Sequence, residues 1–389
     1  MKLVEKVIVY EYDKRNFKEI EKLVEEQDCA IVDWAIFNKK GNEDKVEFPA
    51  GTEAVYIDIS SLLFNEDRAE NLIGLIVPFL NITLENYECD IYIIVDKRYS
   101  EIIKNTLYLR ISEIQKLEIL LGMPHESINN VVDIDEAMFN SMIHHLNSNL
   151  FGNDNFKKRL KEELIKYRLF NKIGEQPVFS VFICGESGIG KTEIARLLHN
   201  YLTPTEKMIK INFGNYSDEN ALSSLIGSPR GYVGSNKGEL SEKILRSNSK
   251  IILIDEFEKA SKPVFNFFLE LLEDGSFTDS LAREFDLNKY LIIFTSNIKK
   301  QDVSKTISPE LMSRFNFMCQ LNPLSQEDKQ NYLSHKVNQM IRKIEEKLNI
   351  KLSETQIIDI KNIDTRTIQN LRDINTKIMN NISKQIGFR

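Results

Sequence analysis

The 389-residue chain has little from which to build a metal or disulfide framework. Its four cysteines, Cys29, Cys89, Cys184 and Cys319, lie far apart, form no CxxC pair and have no histidine cluster beside them. That argues against a zinc site or a disulfide scaffold and is read as buried thiols in a reducing compartment, the cytoplasm. Long apolar runs are also missing. The most apolar stretch, NLIGLIVPFLNI at 71–82, is too short to cross a bilayer and contains a proline, and the N-terminus lacks the basic-then-apolar order of a signal peptide. A soluble protein with no membrane partner is expected. Basic charge is scarce early in the chain: residues 1–150 hold 15 Lys and Arg against 28 Asp and Glu, whereas 151–389 hold 36 against 30. An acidic first part repels phosphate backbones, so nucleic acid is an unfavoured ligand there. The asymmetry also points to a domain boundary near 150, and the length alone calls for two or three domains.

What is present in the first 145 residues is an alternation. Runs with strand character (KVIVYEY, AIVDWAIF, AVYIDIS, CDIYIIV) are separated by helical stretches (NFKEIEKLVEEQ, AENLIGLIVPFL, SEIIKNTLYLRISEIQKLEILLG). That order predicts a small α/β domain over 1–145. It contains no catalytic motif. Asp33, Asp58, Asp90 and Asp96 fall in or beside strands, where carboxylates act as strand-end caps. Trp34 and the His144–His145 pair are expected to serve packing and surface.

Beyond 150 the signals crowd together. A charged amphipathic helix, NDNFKKRLKEELIKYRLFNK, precedes the strand PVFSVFIC and then GESGIGKTEIARLLHNYL. Gly185, Gly190, Lys191 and Thr192 match GxxxxGK[ST] in the strand–loop–helix setting that a phosphate-binding loop requires. The loop Gly185, Glu186, Ser187, Gly188, Ile189, Gly190 can wrap its N–H groups around phosphates. Lys191 then neutralises β/γ oxygens, and the Thr192 hydroxyl serves as a magnesium ligand. ATP with magnesium is the expected cofactor pair. IILIDE at 251–256 predicts a doubly buried strand ending in two carboxylates. Asp255 would hold the metal through water and Glu256 would polarise the attacking water. A third strand, YLIIFTSN, ends in Asn297, able to position that water. The last 65 residues predict three helices, around 326–349, 353–362 and 366–385. The boundaries expected are thus an α/β large subdomain at 146–324 and a helical lid at 325–389.

From 150 to the end, the ordered motifs LFGNDNF, LIGSPRGYVG, ILIDEFEKASKPVFNFFLELLEDGSFTDS, DLNKYLIIFTSN and SPELMSRF resemble the Clp-type AAA+ unfoldases, specifically their C-terminal ATPase ring. The resemblance implies an α/β P-loop AAA+ module with its helical lid, placed after a separate small α/β domain. It implies that Leu150, Phe151 and Gly152 pack on adenine. Arg314 becomes an arginine finger inserted into a neighbour's site, and Arg366 a second sensor arginine, although Asp364 and Thr365 replace the family's usual small residues before it. Gly231, Tyr232, Val233 and Gly234 become a pore loop whose aromatic ring grips extended polypeptide while the glycines let it move. A homo-oligomer, a hexameric ring, follows from the same resemblance.

The chain also departs from that family. It has one ATPase module and no long coiled-coil insertion, and about ten residues separate Asn297 from SPELMSR, too few for the loop that docks a Clp-type peptidase. That partnership is not supported. The N-terminal domain does not resemble the family's paired helical repeats, so it is expected to recruit a protein substrate or adaptor of its own. The leading expectation is an ATP-dependent remodeller that threads polypeptide. The alternative is an ATP-gated oligomeric switch or scaffold that controls a partner effector without threading.

Overall fold

A computed structural model of the chain describes residues 7–34, 51–63, 89–106, 111–123, 130–216, 220–228 and 237–387. Two compact units divide it, residues 1–127 and 128–389. The division falls earlier than the expected boundary at 145. The reason is that Val131, Val132, Ile134 and the helix Glu136–Asn149, through Phe139, Met142 and Leu146, bury their apolar side chains in the core of the second unit.

The first unit is a five-stranded parallel sheet: β1 (Val7–Tyr12), β2 (Ala30–Asp33), β3 (Ala54–Asp58), β4 (Asp90–Asp96) and β5 (Ile111–Lys116), in the order β2-β3-β4-β1-β5. Alternate residues point to opposite faces. Val9, Val55, Ile57, Ile93 and Val95 accordingly pack in one core, and Tyr10, Tyr12, Tyr56 and Ile94 in another with helix Phe17–Glu26. The stretch 100–122, expected as one helix, is instead a helix Ser100–Thr106, then β5, then a short helix Leu117–Leu120. Pairing with β1 (Val9 opposite Ile114, Tyr10 opposite Gln115) overrides local helix propensity there. The expected helix at 69–80 lies outside the described residues.

Four carboxylates at the strand ends of this unit are occupied. Asp58 accepts from the Tyr12 hydroxyl at 2.6 Å and from the Ser60 hydroxyl at 2.6 Å, Asp33 accepts from Ser61, Asp13 pairs with Lys97 at 2.7 Å, and Asp96 pairs with Arg98. Trp34 is buried, and His145 packs on Tyr201. Of the four free cysteines, Cys184 alone is buried. Cys29, Cys89 and Cys319 are partly covered, which corrects the expectation of four buried thiols.

The second unit is built on another parallel sheet: β6 (Phe179–Cys184), β7 (Ile209–Asn212), β8 (Ile251–Asp255), β11 (Leu291–Thr295) and β12 (Phe317–Gln320), ordered β12-β6-β11-β8-β7. A small hairpin, β9 (Ser276–Thr278) with β10 (Glu284–Asp286), stands apart from it. The central strands β6 and β11 are buried along their whole length, as strands covered on both faces must be. The last three helices, Gln326–Leu348, Glu354–Lys361 and Leu371–Ile386, are capped by Ser325, Ser353 and Asn370 and share their own core. Leu333, Val337 and Ile341 face Ile374, Ile378 and Ile382 at the four-residue spacing of one helical face.

Candidate functional site

At the end of β6 the chain turns at Gly185, where φ is 138° and an added Cβ would lie 2.7 Å from the Leu321 carbonyl oxygen. Only glycine fits that turn. The loop leads to helix Lys191–Leu202, whose first residue is buried. The Lys191 ammonium spends its three protons on the carbonyls of Gly185 and Glu186, both at 2.7 Å, and on Asn297 Oδ1 at 3.0 Å. Burial pushes its pKa down to about 8, against the pull of the Glu258 and Asp255 carboxylates.

Asp255 closes β8, with Lys210 of β7 donating to Oδ2 at 2.7 Å and the Thr295 hydroxyl to Oδ1 at 2.5 Å. Burial by itself would raise this carboxyl; the Lys210 and Thr295 hydrogen bonds outweigh it and hold the pKa below the usual carboxylate range. Glu256 follows in a left-handed conformation, φ 56°, with Lys259 paired to it at 2.7 Å. Phe257 anchors this turn. It is fully buried against Phe294, Phe265 and Phe268 at centroid distances of 4.8, 5.0 and 5.4 Å. Asn297 is fixed from behind by its own N–H, which donates to Glu258 at 3.1 Å.

These groups converge on a cavity of about 440 Å³. Ser187 to Thr192, Asp255, Glu256 and Asn297 line it, as do Leu150 and Phe151. Gly185 and Glu186 stand behind it and reach it through Lys191, while Gly152 forms a turn where an added Cβ would press on Leu324 at 2.8 Å. Phe151 meets the edges of Tyr332 and His335 from the helical lid, giving a small aromatic wall. Among the described residues no group of three His, Cys, Asp or Glu side chains could hold a metal unaided. A metal here would take most ligands from phosphate and water, as magnesium does, and a hydroxyl (Thr192) with an ionised carboxylate (Asp255) fits that need.

A glycine loop, a carboxylate-ended strand and a polar strand end around one cavity agree with the match of residues 176–352 to the family described as AAA domain (Cdc48 subfamily). Residues 176–352 are thus an AAA domain, and the second unit that contains them is similar to the Clp-type AAA+ ATPases. Nucleotide binding belongs to that family. The chaperone protein ClpB of Malacoplasma penetrans is 27% identical over 336 residues, 79% of this chain and 45% of that protein. ClpB of Staphylococcus epidermidis is 31% identical over 260 residues, 61% of this chain and 29% of that protein. The chain thus spans less than half the length of these curated relatives. A closed-state cryo-EM reconstruction of Hsp104 with ATPγS and FITC-casein shares the fold, with a TM-score of 0.56 at 17% identity over 99% of this chain and 88% of that one.

Within the AAA+ domain the structure leaves two expected residues, Arg314 and Arg366, away from the cavity. Arg314 ends helix Pro309–Arg314, half exposed and paired with Glu273 at 2.9 Å. Arg366 lies in the loop before the last helix, with 80% of its side chain exposed and folded onto Asp364. Arg372 lines the cavity instead. Asn370 caps the last helix and so puts Arg372 in its first turn, while the Leu371 N–H donates to the Gly188 carbonyl at 3.0 Å and docks that turn on the phosphate loop. The pore-loop residues Gly231, Tyr232, Val233 and Gly234 lie outside the described residues. The sequence reading missed Arg372, Lys210, Tyr332 and His335. An Asn-x-x-Asp capping pattern at 370–373 was the available signal for Arg372. For the other three no local pattern marks them, because strand pairing and lid docking bring them in. No described helix is long and apolar enough to cross a membrane.

Proposed function

We propose that the chain is an ATP-driven protein remodeller that works in the cytoplasm as a hexameric ring, threading polypeptide past Tyr232, with the N-terminal unit recruiting the protein substrate or its adaptor. What carries this proposal is the separation of Arg314 from its own cavity. Lys191, Thr192, Asp255, Glu256 and Asn297 gather in one space, whereas Arg314 stands outward, available to a nucleotide held by another copy. In trans it would stabilise the charge that develops on the transferring phosphoryl group.

The residues divide the work. Lys191 exchanges its two carbonyl partners for phosphate oxygens when ATP enters. Glu256 leaves Lys259 and takes the proton of the attacking water, which Asn297 orients. Arg372, in place of Arg366, reaches the phosphates from the lid and so links lid position to nucleotide state. Thr192 and Asp255 are the residues that would hold magnesium, which would supply charge neutralisation to the phosphates. The named relatives are chaperones, which supports the remodelling role.

The test is a trap. Tagged Glu256→Gln protein is held in ATP, sized for oligomeric state, and its co-purifying proteins are identified beside those of the same protein carrying Tyr232→Ala. Proteins lost with Tyr232 occupy the pore and support threading. Partners retained equally by both are held elsewhere, and the ring then acts as an ATP-controlled scaffold.

A further inference from the structure

Lys210 sits in the middle of β7, between Ile209 and Ile211, both fully buried. Strand alternation therefore turns it away from their core. The register pairs Asn212 with Asp255 and Lys210 with Leu253, so the lysine side chain runs forward along the neighbouring strand to reach the carboxylate at its end. The ammonium lies 2.7 Å from Asp255 Oδ2, with 34% of the Lys210 side chain and 17% of the Asp255 side chain exposed. Its backbone is held as well, since the Lys210 carbonyl accepts from Lys243 Nζ at 2.5 Å. Thr295 occupies the other Asp255 oxygen. Both Lys210 and Asp255 border the nucleotide cavity.

Two donors thus already hold the carboxylate that a hydrated divalent cation would use. They differ in kind. The Thr295 hydroxyl is neutral and leaves Asp255 its full charge, whereas the lysine brings a positive charge that opposes a dication approaching the same oxygens. Without a cation, that same charge keeps Asp255 from repelling the phosphates across the cavity.

We propose that Lys210 is a resident counter-cation of Asp255, a positioning residue that competes with the divalent cation for this carboxylate and sets the cation concentration the nucleotide site requires. The proposal rests on the nucleotide reading of the cavity. It is tested by binding rather than turnover, using a fluorescent ATP analogue and magnesium titrations on the full chain. Lys210→Met is expected to reach half-maximal magnesium-dependent binding at a cation concentration about five- to tenfold lower than wild type, in line with loss of one partly screened charge. Lys210→Arg, which keeps the charge, is expected to stay within about twofold of wild type, because the proposed competition is one of charge. An unchanged or increased magnesium requirement in Lys210→Met, or an Arg variant that behaves like Met, overturns the proposal while leaving the nucleotide site standing. Failure of the wild-type chain to bind the analogue at any magnesium concentration overturns both. If Lys210→Met does not fold, Lys210→Gln carries the same expectation and the same overturning outcome.

Discussion

The two units are both five-stranded parallel sheets with acidic side chains at the carboxyl ends of their strands, yet those carboxylates lead different lives. In the first unit Asp13, Asp33, Asp58 and Asp96 are tied to Lys97, Ser61, Tyr12 with Ser60, and Arg98. In the AAA+ domain Asp255 and Glu256 are also paired, with Lys210 and Lys259, but they border an open space faced by a glycine loop and by Lys191 and Arg372. An acidic strand end is therefore not a site by itself. It becomes one where glycines let a backbone approach across a cavity and where cations on other elements are aimed into the same space.

The largest test of this contrast is in catalysis. Glu256→Gln is expected to lower ATP turnover by about 10²-fold or more while retaining nucleotide binding, whereas Asp58→Asn, at the corresponding strand end of the first unit, leaves turnover unchanged. A steady-state assay on both variants would break the comparison if the two losses were alike.

Stability should separate the units next. Phe257→Ala removes the ring that Phe294, Phe265 and Phe268 surround and is expected to cost the AAA+ domain about 3–5 kcal/mol. Calorimetry should show its transition moving while that of the first unit, which has its own cores, stays in place. A single shifted transition would show that the units melt as one.

Two arginines sharpen the comparison within the AAA+ domain. Arg372→Ala should weaken ATP binding about tenfold, the loss of one partly exposed charge-assisted contact, and Arg366→Ala should change it little because its partner is Asp364 at the surface. Equal effects in a nucleotide titration would return the role to Arg366. The smallest effect is on pH. Phosphate binds the charged form of Lys191, whose pKa burial has brought down to about 8. ATP affinity is expected to be full below that pH and to fall as pH rises through it, by up to about tenfold per unit. A flat profile between pH 7 and 9 would count against the buried, depressed lysine.

The phosphate loop, the carboxylate-ended strand and Asn297 were legible because each is a short contiguous pattern whose chemistry depends on neighbours in the chain. The strand β5 was not, since ISEIQK becomes a strand only by pairing with Val9 and Tyr10 about a hundred residues earlier. The resemblance named Arg366 and gave no role to Arg372, for a related reason. A motif match ranks arginines by spacing, whereas access to the cavity depends on where the last helix starts, and Asn370 starts it five residues later than expected.

The amino-acid sequence alone determined the class of this protein: two α/β units, a nucleotide loop, and the order of motifs that marks a Clp-type AAA+ domain. Those properties reside in periodicity and in local patterns, which survive without knowledge of distant contacts. Tertiary structure decided the rest: that helix Glu136–Asn149 belongs with the second unit, that Arg372 and not Arg366 faces the nucleotide cavity, and that Lys210 holds Asp255. Each depends on strand order, helix docking or side-chain reach across neighbouring strands, and such contacts join residues that no sequence window contains together.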